Sequence, residues 1–462
     1  MLTYLLDQRG HRPAYEYLSC CLREDILSGR LSAHEKLPSK RSLARQLGIS
    51  VVTVQAAYSQ LVAEGYLRSQ ERRGYFVNPV ARCLPAASPA PLLPAPPAPP
   101  CLMDLRGGSV EGSRFPFSLW AKLMRQVLTQ EGPALLEPVP FQGVPALRRA
   151  IAGYLYRARG ISVHPDQVIL GAGTEYLYNL LVQLLGRDKV YGVEDPGYAK
   201  IPRIYRACGV TVRELPLDCH GVDPGALAAS DTQILHLSPS HHYPTGIVTP
   251  VGRRQELLRW AGQTEDRCVI EDDYDSEFRF SGRPIPTLQS IDADQRVIYI
   301  NTFSRTIAPS LRISYMVLPS RLLERYRREL GFYACTVTSL EQHTLAKFLD
   351  GGGFERHIGR MRTFYRAKRD QVIHAIRQSP LGPRSRIREE HAGLHFLLEL
   401  DTRRPDREAE ALAAQAGIRL SFLSDYTARP HLVQPHALVA NYAGIDAGRL
   451  PQVLELLAPC LL

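Results

Sequence analysis

The stretch IYINTFSRTIAPSLRISYMVLPS, Ile298 to Ser320, opens on a short apolar run that ends at Asn301 and gives way to a Thr-Phe-Ser turn. Arg305 follows the turn, Arg312 stands seven residues further on, and the stretch holds no lysine. An apolar run of strand length that stops abruptly in hydroxyl and charged residues is the pattern of a buried strand with polar groups at its carboxyl end. Upstream, QVILGAG, KVYGVED, TQILHLSPS and RCVIEDDY repeat that pattern, with helical stretches between them. Continuous apolar strands alternating with helices predict an α/β fold whose mostly parallel central sheet is covered on both faces. Ligands of such sheets sit at the carboxyl ends of the strands, where these runs switch to Gly, Asp, Ser and Thr.

A chain of 462 residues exceeds one ordinary core, so two or three domains are expected. A hydrophobic share of 45% and a charged share of 22% are globular values. The net charge of +10 permits an acidic partner such as DNA without proving one. No run approaches the roughly 20 apolar residues of a membrane span, so no membrane partner is expected. The N-terminal MLTYLLDQRGHRPAYEYL is broken by Asp7, Arg9 and Arg12 and lacks a signal-peptide core. The nine cysteines are scattered without a C-x-x-C pair, which argues against a metal site or a disulfide framework and for a cytoplasmic location.

The sharpest break in composition is ARCLPAASPAPLLPAPPAPPC, residues 81–101, almost wholly Pro, Ala and Leu. Such a run favours extended polyproline II, a semi-rigid spacer on the order of 50 to 60 Å long. It divides an N-terminal unit, 1–80, from a large unit, 102–462. In the first, RPAYEYLSCCLREDILSGRL reads as a helix with Tyr15, Leu18, Leu22 and Ile26 on one stripe. LPSKRSLARQLGIS gives a second helix capped by Ser39, and VVTVQAAYSQLVAEG a third with Val54, Tyr58 and Leu61 inward. YLRSQERRGYFV reads as two short strands, which completes a winged helix-turn-helix.

The run LPSKRSLARQLGISVVTVQAAYSQLVAEGYLRSQERRGYFV resembles the GntR winged-helix family over its whole length. The resemblance implies binding to double-stranded operator DNA. A recognition helix would present Ser50, Thr53 and Gln55 to base edges, since Gln can bond an adenine edge. Lys40, Arg41 and Arg45, with Arg72 and Arg73 before Gly74 in the wing, would meet phosphates, unless these basic residues form only a solvated face. Relatives often carry an arginine and an asparagine where this chain has Val51 and Val52.

The region from Leu102 onward resembles fold-type I aminotransferases, and with the head it resembles the MocR-type transcription regulators. The likeness rests on FPFSLWAKLMRQVL, GVPALRRAIAGYLYRARGI, GAGTEYL, EDPGY, SPSHHYPTG, EDDYDSEFR and TFSRTIAPSLRISY, in that order. It implies a site for pyridoxal 5′-phosphate. The phosphate would meet the helix start at Gly173 and Thr174, the hydroxyls of Thr302 and Ser304, and the guanidinium of Arg312. Asp272 would hold the pyridine nitrogen protonated, Tyr274 would bond the ring hydroxyl, and Tyr198 would stack on the ring. Taken singly, Asp272 and Asp273 could be loop carboxylates, Tyr198 a packed aromatic, and Arg312 a partner for either aspartate.

In the resembled enzymes a lysine stands at the place of Arg305 and holds the cofactor as a Schiff base, which requires a neutral amine. A guanidinium cannot form that bond or shuttle a proton from Cα, so transamination is not expected. The arginine that usually binds a substrate carboxylate before the final AG is missing from HALVANYAGI. Three explanations of Arg305 stay open: a noncovalent ligand sensor, a domain kept for dimerisation, or a single-base change from a lysine codon. The sequence thus indicates a dimeric DNA-binding regulator with a small-molecule effector, pyridoxal phosphate being held without a covalent bond or lost. A true aminotransferase with an accessory DNA-binding head is the competing reading.

Overall fold

The computed structural model describes residues 4, 9–80, 101–107, 111–280, 285–391 and 393–462. It divides into two compact units, Met1–Ala98 and Pro99–Leu462. Except for Cys101, the Pro/Ala-rich spacer of 81–101 lies outside the described residues.

In the first unit, helices α1 (Ala14–Leu27), α2 (Lys40–Leu47) and α3 (Val51–Ala63) precede strands β1 (Leu67–Gln70) and β2 (Gly74–Val77). The two strands pair antiparallel, Leu67 opposite Val77. Ser39 caps α2 by accepting from the Ser42 N–H at 3.2 Å, and Gly48 ends it in the left-handed region at φ 65°. Leu18, Leu22 and Ile26 of α1 pack against Val54, Tyr58 and Leu61 of α3 in one core. Tyr15 departs from the predicted stripe and is 41% exposed. It lies in the first turn of α1, ahead of the residues that meet the core.

The second unit is built on an eight-stranded sheet. Its centre runs Val297–Thr302, Cys268–Asp272, Ile234–Leu237, Val190–Asp195 and Thr211–Asp218, each parallel to its neighbour. Ser314–Val317 is inserted antiparallel between Val297–Thr302 and Val168–Gly171. The decisive stretch is therefore a strand, a loop and a return strand, with Thr302 opposite Ser314. Arg305 belongs to that loop. Along Val297–Thr302, Ile298 and Ile300 join the core on one face of the sheet and Tyr299 the core on the other. Both faces are thus apolar, which is why the run is continuous rather than alternating.

A second, three-stranded antiparallel sheet of Ser385–Arg388, His395–Leu400 and Ala437–Asn441 shares a core with the helices Gly353–Gln378 and Leu450–Leu461.

One buried side chain joins several segments of the large unit. Arg254, 2% exposed, donates to the carbonyls of Thr249 at 2.8 Å, Pro239 at 2.7 Å and Pro286 at 2.5 Å. Glu271 lies 3.9 Å away and supplies the counter-charge. Arg254→Met is expected to leave these carbonyls without their donor and the buried Glu271 without its counter-charge, destabilising this unit by about 3 to 5 kcal/mol. The midpoint of its urea transition measures this. Arg254→Lys should recover only part of the loss, because one ammonium cannot reach all these carbonyls.

Candidate functional site

The carboxyl ends of the central strands surround a cavity of about 320 Å³. Thr174, Tyr198, Asp272, Tyr274, Thr302, Ser304, Arg305 and Arg312 all line it. Gly173 does not line the cavity but shapes it. At φ 96° it precedes the helix Thr174–Leu185, and a side chain there would collide with the Arg312 guanidinium.

The floor is a carboxylate in a polar network. Asp272, at the end of Cys268–Asp272, accepts the Tyr178 hydroxyl on Oδ2, and His236 Nε2 lies 3.5 Å from the same oxygen. His236 Nδ1 is in turn 2.6 Å from the Tyr205 hydroxyl. Burial, with Asp272 beside it, holds the Tyr178 phenol well above its usual range, so Tyr178 is the donor. Asp272 Oδ1 is buried with no hydrogen-bond partner among the described residues. That orphaned acceptor suits a protonated ring nitrogen. Asp273 serves elsewhere, its Oδ2 accepting from Arg159 and from the Tyr299 hydroxyl, each at 2.7 Å.

At the opposite end, Arg312 adopts φ 51°, a left-handed conformation unusual outside glycine. Its guanidinium donates to Glu175 Oε2, and Lys200 Nζ lies 3.6 Å from Glu175 Oε1. Arg312 thus pairs with neither aspartate. The Ser304 Oγ is buried with no partner among the described residues, a second orphan that suits a phosphate oxygen. Thr302 behaves differently from its neighbour. Its hydroxyl accepts from Ser304 N at 3.1 Å and from Ser314 Oγ at 2.8 Å, so it holds the loop together.

On the walls, Tyr198 is 41% exposed and stands edge-on to Tyr243 at 5.9 Å. Tyr274 turns its hydroxyl toward His241 Nδ1 at 3.4 Å. Arg305 is half-buried, and among the described residues it has neither a hydrogen bond nor an ion pair. The residues therefore fit a phosphorylated pyridine at the nitrogen and at the phosphate.

Several pocket residues carried no expectation from the sequence. Tyr178 follows Thr174 by one helical turn, so helical spacing could have placed it beside the site. His236 sits within the apolar run ILHL, where it reads as a strand residue. Glu175, Glu194, Lys200 and Tyr243 lie inside or beside the motifs without an assigned role.

In the first unit Gln55, Arg41, Arg45, Arg72 and Arg73 are exposed, with Arg72 in the turn between the strands at φ 59°. Ser50 caps α3, and its hydroxyl and that of Thr53 are 2.7 Å apart, so both are engaged with the helix start. Lys40 Nζ donates to Gln55 Oε1 at 3.2 Å. Val52, 76% exposed, joins Gln55 on the outward face of α3.

Glu194 lines the cavity with its side chain 8% exposed, and burial pushes its carboxyl up to about 8, while the Ser238 N–H opposes that shift. His242 Nε2 lies 3.5 Å away, but burial lowers that imidazole to about 3, so it stays neutral. Between its ordinary value of 4.5 and about 8, the folded Glu194 keeps a proton that the unfolded chain has released. Stability from this group is therefore lost as pH rises through that window. Glu194→Gln keeps a neutral acceptor for Ser238 and is expected to raise the melting temperature at about pH 8.5 and leave it nearly unchanged at about pH 4.5. Thermal melts of variant and wild type at both pH values check this.

Residues 14–77 match the family described as bacterial regulatory proteins, gntR family, and residues 103–455 match aminotransferase class I and II. The uncharacterized HTH-type transcriptional regulator YdeL of Bacillus subtilis is 38% identical over 91% of this chain and 91% of its own length. The probable rhizopine catabolism regulatory protein MocR of Rhizobium meliloti is 33% identical over 96% of this chain and 92% of its own. The pyridoxine biosynthesis transcriptional regulator PdxR of Corynebacterium glutamicum is 34% identical over 88% and 87%. Among solved structures, Pyrococcus horikoshii kynurenine aminotransferase matches with a TM-score of 0.69 at 22% identity, covering 78% of this chain and 90% of its own, a likeness of fold. Among the described residues, no helix is long and apolar enough to cross a membrane. A gntR-family helix-turn-helix head and an aminotransferase-like unit in one chain, matched end to end by such regulators, place this protein in the MocR-type family of DNA-binding transcriptional regulators.

Proposed function

We propose that the aminotransferase-like unit is the sensor of this regulator and binds pyridoxal phosphate or a related anionic ligand without a covalent bond. The observation that carries this reading is the combination of two orphaned acceptors or donors, Asp272 Oδ1 and Ser304 Oγ, with an unpaired guanidinium, Arg305, in one cavity. Buried polar groups left unpaired are unfavourable, and a ligand that pairs them recovers that energy. A relative named for pyridoxine biosynthesis agrees with a ligand of this class. Arg305 takes the place of the Schiff-base lysine. Lys200 is no substitute, because its ammonium faces Glu175 beside Arg312, at the phosphate end.

The protein acts in the cytoplasm as a homodimer whose two heads bind a repeated operator. The ligand regulates DNA binding by having different affinities for two states of the dimer. Lys40, Arg41, Arg45, Arg72 and Arg73 meet phosphates, while Gln55 and Val52 face base edges, the valine suited to a thymine methyl.

Two measurements test this. Wild type should bind pyridoxal phosphate reversibly, and borohydride should fix none of it to the chain, as read by mass spectrometry after denaturation. Arg305→Lys should then acquire a reducible covalent adduct located at residue 305. An adduct at Lys200 in the wild type, or no binding by either protein, would reject the noncovalent sensor.

The second measurement concerns the head. Gln55→Ala is expected to weaken operator binding by about 1 to 3 kcal/mol and to leave random-sequence DNA nearly unaffected. Lys40→Met removes a phosphate partner and should lower the salt slope of binding by about one. It also frees Gln55 Oε1, so discrimination in favour of adenine should rise. Titrations on operator and random DNA at several salt concentrations separate these effects.

A further inference from the structure

The orphaned guanidinium of Arg305 has a chemical complement, and it is not an aldehyde. We propose that Arg305 makes the pocket selective for a phosphorylated pyridine that carries a carboxylate at the ring carbon where pyridoxal phosphate carries its aldehyde. This rests on the noncovalent reading above and specifies its ligand.

Geometry on the ring fixes where Arg305 falls. If the nitrogen meets Asp272 Oδ1 and the phosphate arm meets Ser304 and Arg312, the substituent across the ring from the nitrogen, next to the phosphate arm, lies toward the residue following Ser304. That residue is Arg305, which lines the same cavity. A guanidinium offers a planar fork of N–H donors that matches a carboxylate through paired, charge-assisted bonds.

Among the described residues, no carboxylate forms an ion pair or a hydrogen bond with that fork. Asp272 accepts from Tyr178 on Oδ2 and leaves Oδ1 for the ring nitrogen. Glu175 is engaged by Arg312 and Lys200. Asp275 holds His241 at 3.0 Å, and Glu111 holds Lys368 at 3.3 Å. The Arg305 charge acts on Tyr243, Tyr274, Tyr365 and His395. Burial raises the first three phenols and lowers the imidazole, so all four stay uncharged near neutrality. A half-buried cation with neither a hydrogen bond nor an ion pair among the described residues has an unmet need for an anion.

The three oxidation levels of the ligand then differ in charge at one atom. A carboxylate is attracted, an aldehyde is neutral, and the ammonium of an amine is repelled. The experiment is a calorimetric titration of the full-length protein with 4-pyridoxic acid 5′-phosphate, pyridoxal phosphate and pyridoxamine phosphate. The expected order of affinity is acid, aldehyde, amine, with the acid about tenfold or more tighter than the amine. Arg305→Gln, checked for folding by its thermal melt, should abolish the preference for the acid and bring the three affinities together.

A carboxylate could also arrive on an amino acid joined through nitrogen to the same ring carbon. N-(5′-phosphopyridoxyl)-L-leucine tests that source, and the proposal expects it to bind more weakly than the acid, because its secondary ammonium faces Arg305. Tighter binding of this conjugate would overturn the proposal. So would equal wild-type affinities for acid and amine, which would leave the noncovalent reading standing. Failure of every one of these ligands to bind would reject that reading and this inference together.

Discussion

The site depends on keeping apart two carboxylates that are neighbours in the chain. Asp272 and Asp273 end one central strand, and strand geometry sends successive side chains to opposite faces. Asp273, its side chain 1% exposed, is held by Arg159, itself 5% exposed, at 2.7 Å and by the Tyr299 hydroxyl. Two ions so deeply buried are tolerated only when each is closely paired. Arg159 also donates to Ser240 Oγ at 3.3 Å, so the end of the helix Pro145–Arg159 is tied to the carboxyl ends of several strands at once. With Asp273 fixed on one face, Asp272 is left to serve the cavity on the other.

The sequence revealed what is local and concealed what is brought together from afar. Strand ends, caps and glycine turns depend on a few adjacent residues, so the runs from QVILGAG to RVIYINTF and the caps at Ser39 and Gly48 were readable. Tyr205 and His236 could not be read in this way. His236 lies in the apolar run ILHL and meets the site only because Ile234–Leu237 is flanked by Val190–Asp195 and Cys268–Asp272, and Tyr205 reaches His236 from the helix Lys200–Ala207. The bond from Lys40 to Gln55 crosses from one helix to the next, and spacing alone does not predict it. The antiparallel return of Ser314–Val317 likewise brings a second hydroxyl against Thr302, a contact that its residue type does not announce.

Electrostatically the two ends of the cavity are unlike. At one, the left-handed backbone of Arg312 and the missing side chain of Gly173 bring a guanidinium over a helix start, where Glu175 already neutralises it. An entering phosphate must displace that carboxylate, and the ion pair is half-exposed, so little stability opposes the exchange. At the other end no carboxylate pairs with Arg305 among the described residues. A ligand with a single negative group would therefore exchange one ion pair for another, whereas a ligand with two would also neutralise a charge the protein leaves bare.

That difference bears on how a regulator of this kind can respond to chemistry. A sensor discriminates only through interactions that differ between ligands, and uniform affinity for all phosphorylated pyridines would report nothing but their sum. The ring nitrogen and the phosphate are common to every such ligand, so in the proposed binding mode Asp272, Ser304 and Arg312 would supply affinity without discrimination. The group facing residue 305 is the part of the ligand that changes. On the proposed reading, the lysine of an enzyme at this place would turn the difference into a covalent step, whereas Arg305 would turn it into a difference of binding free energy, which is the quantity that shifts a conformational equilibrium.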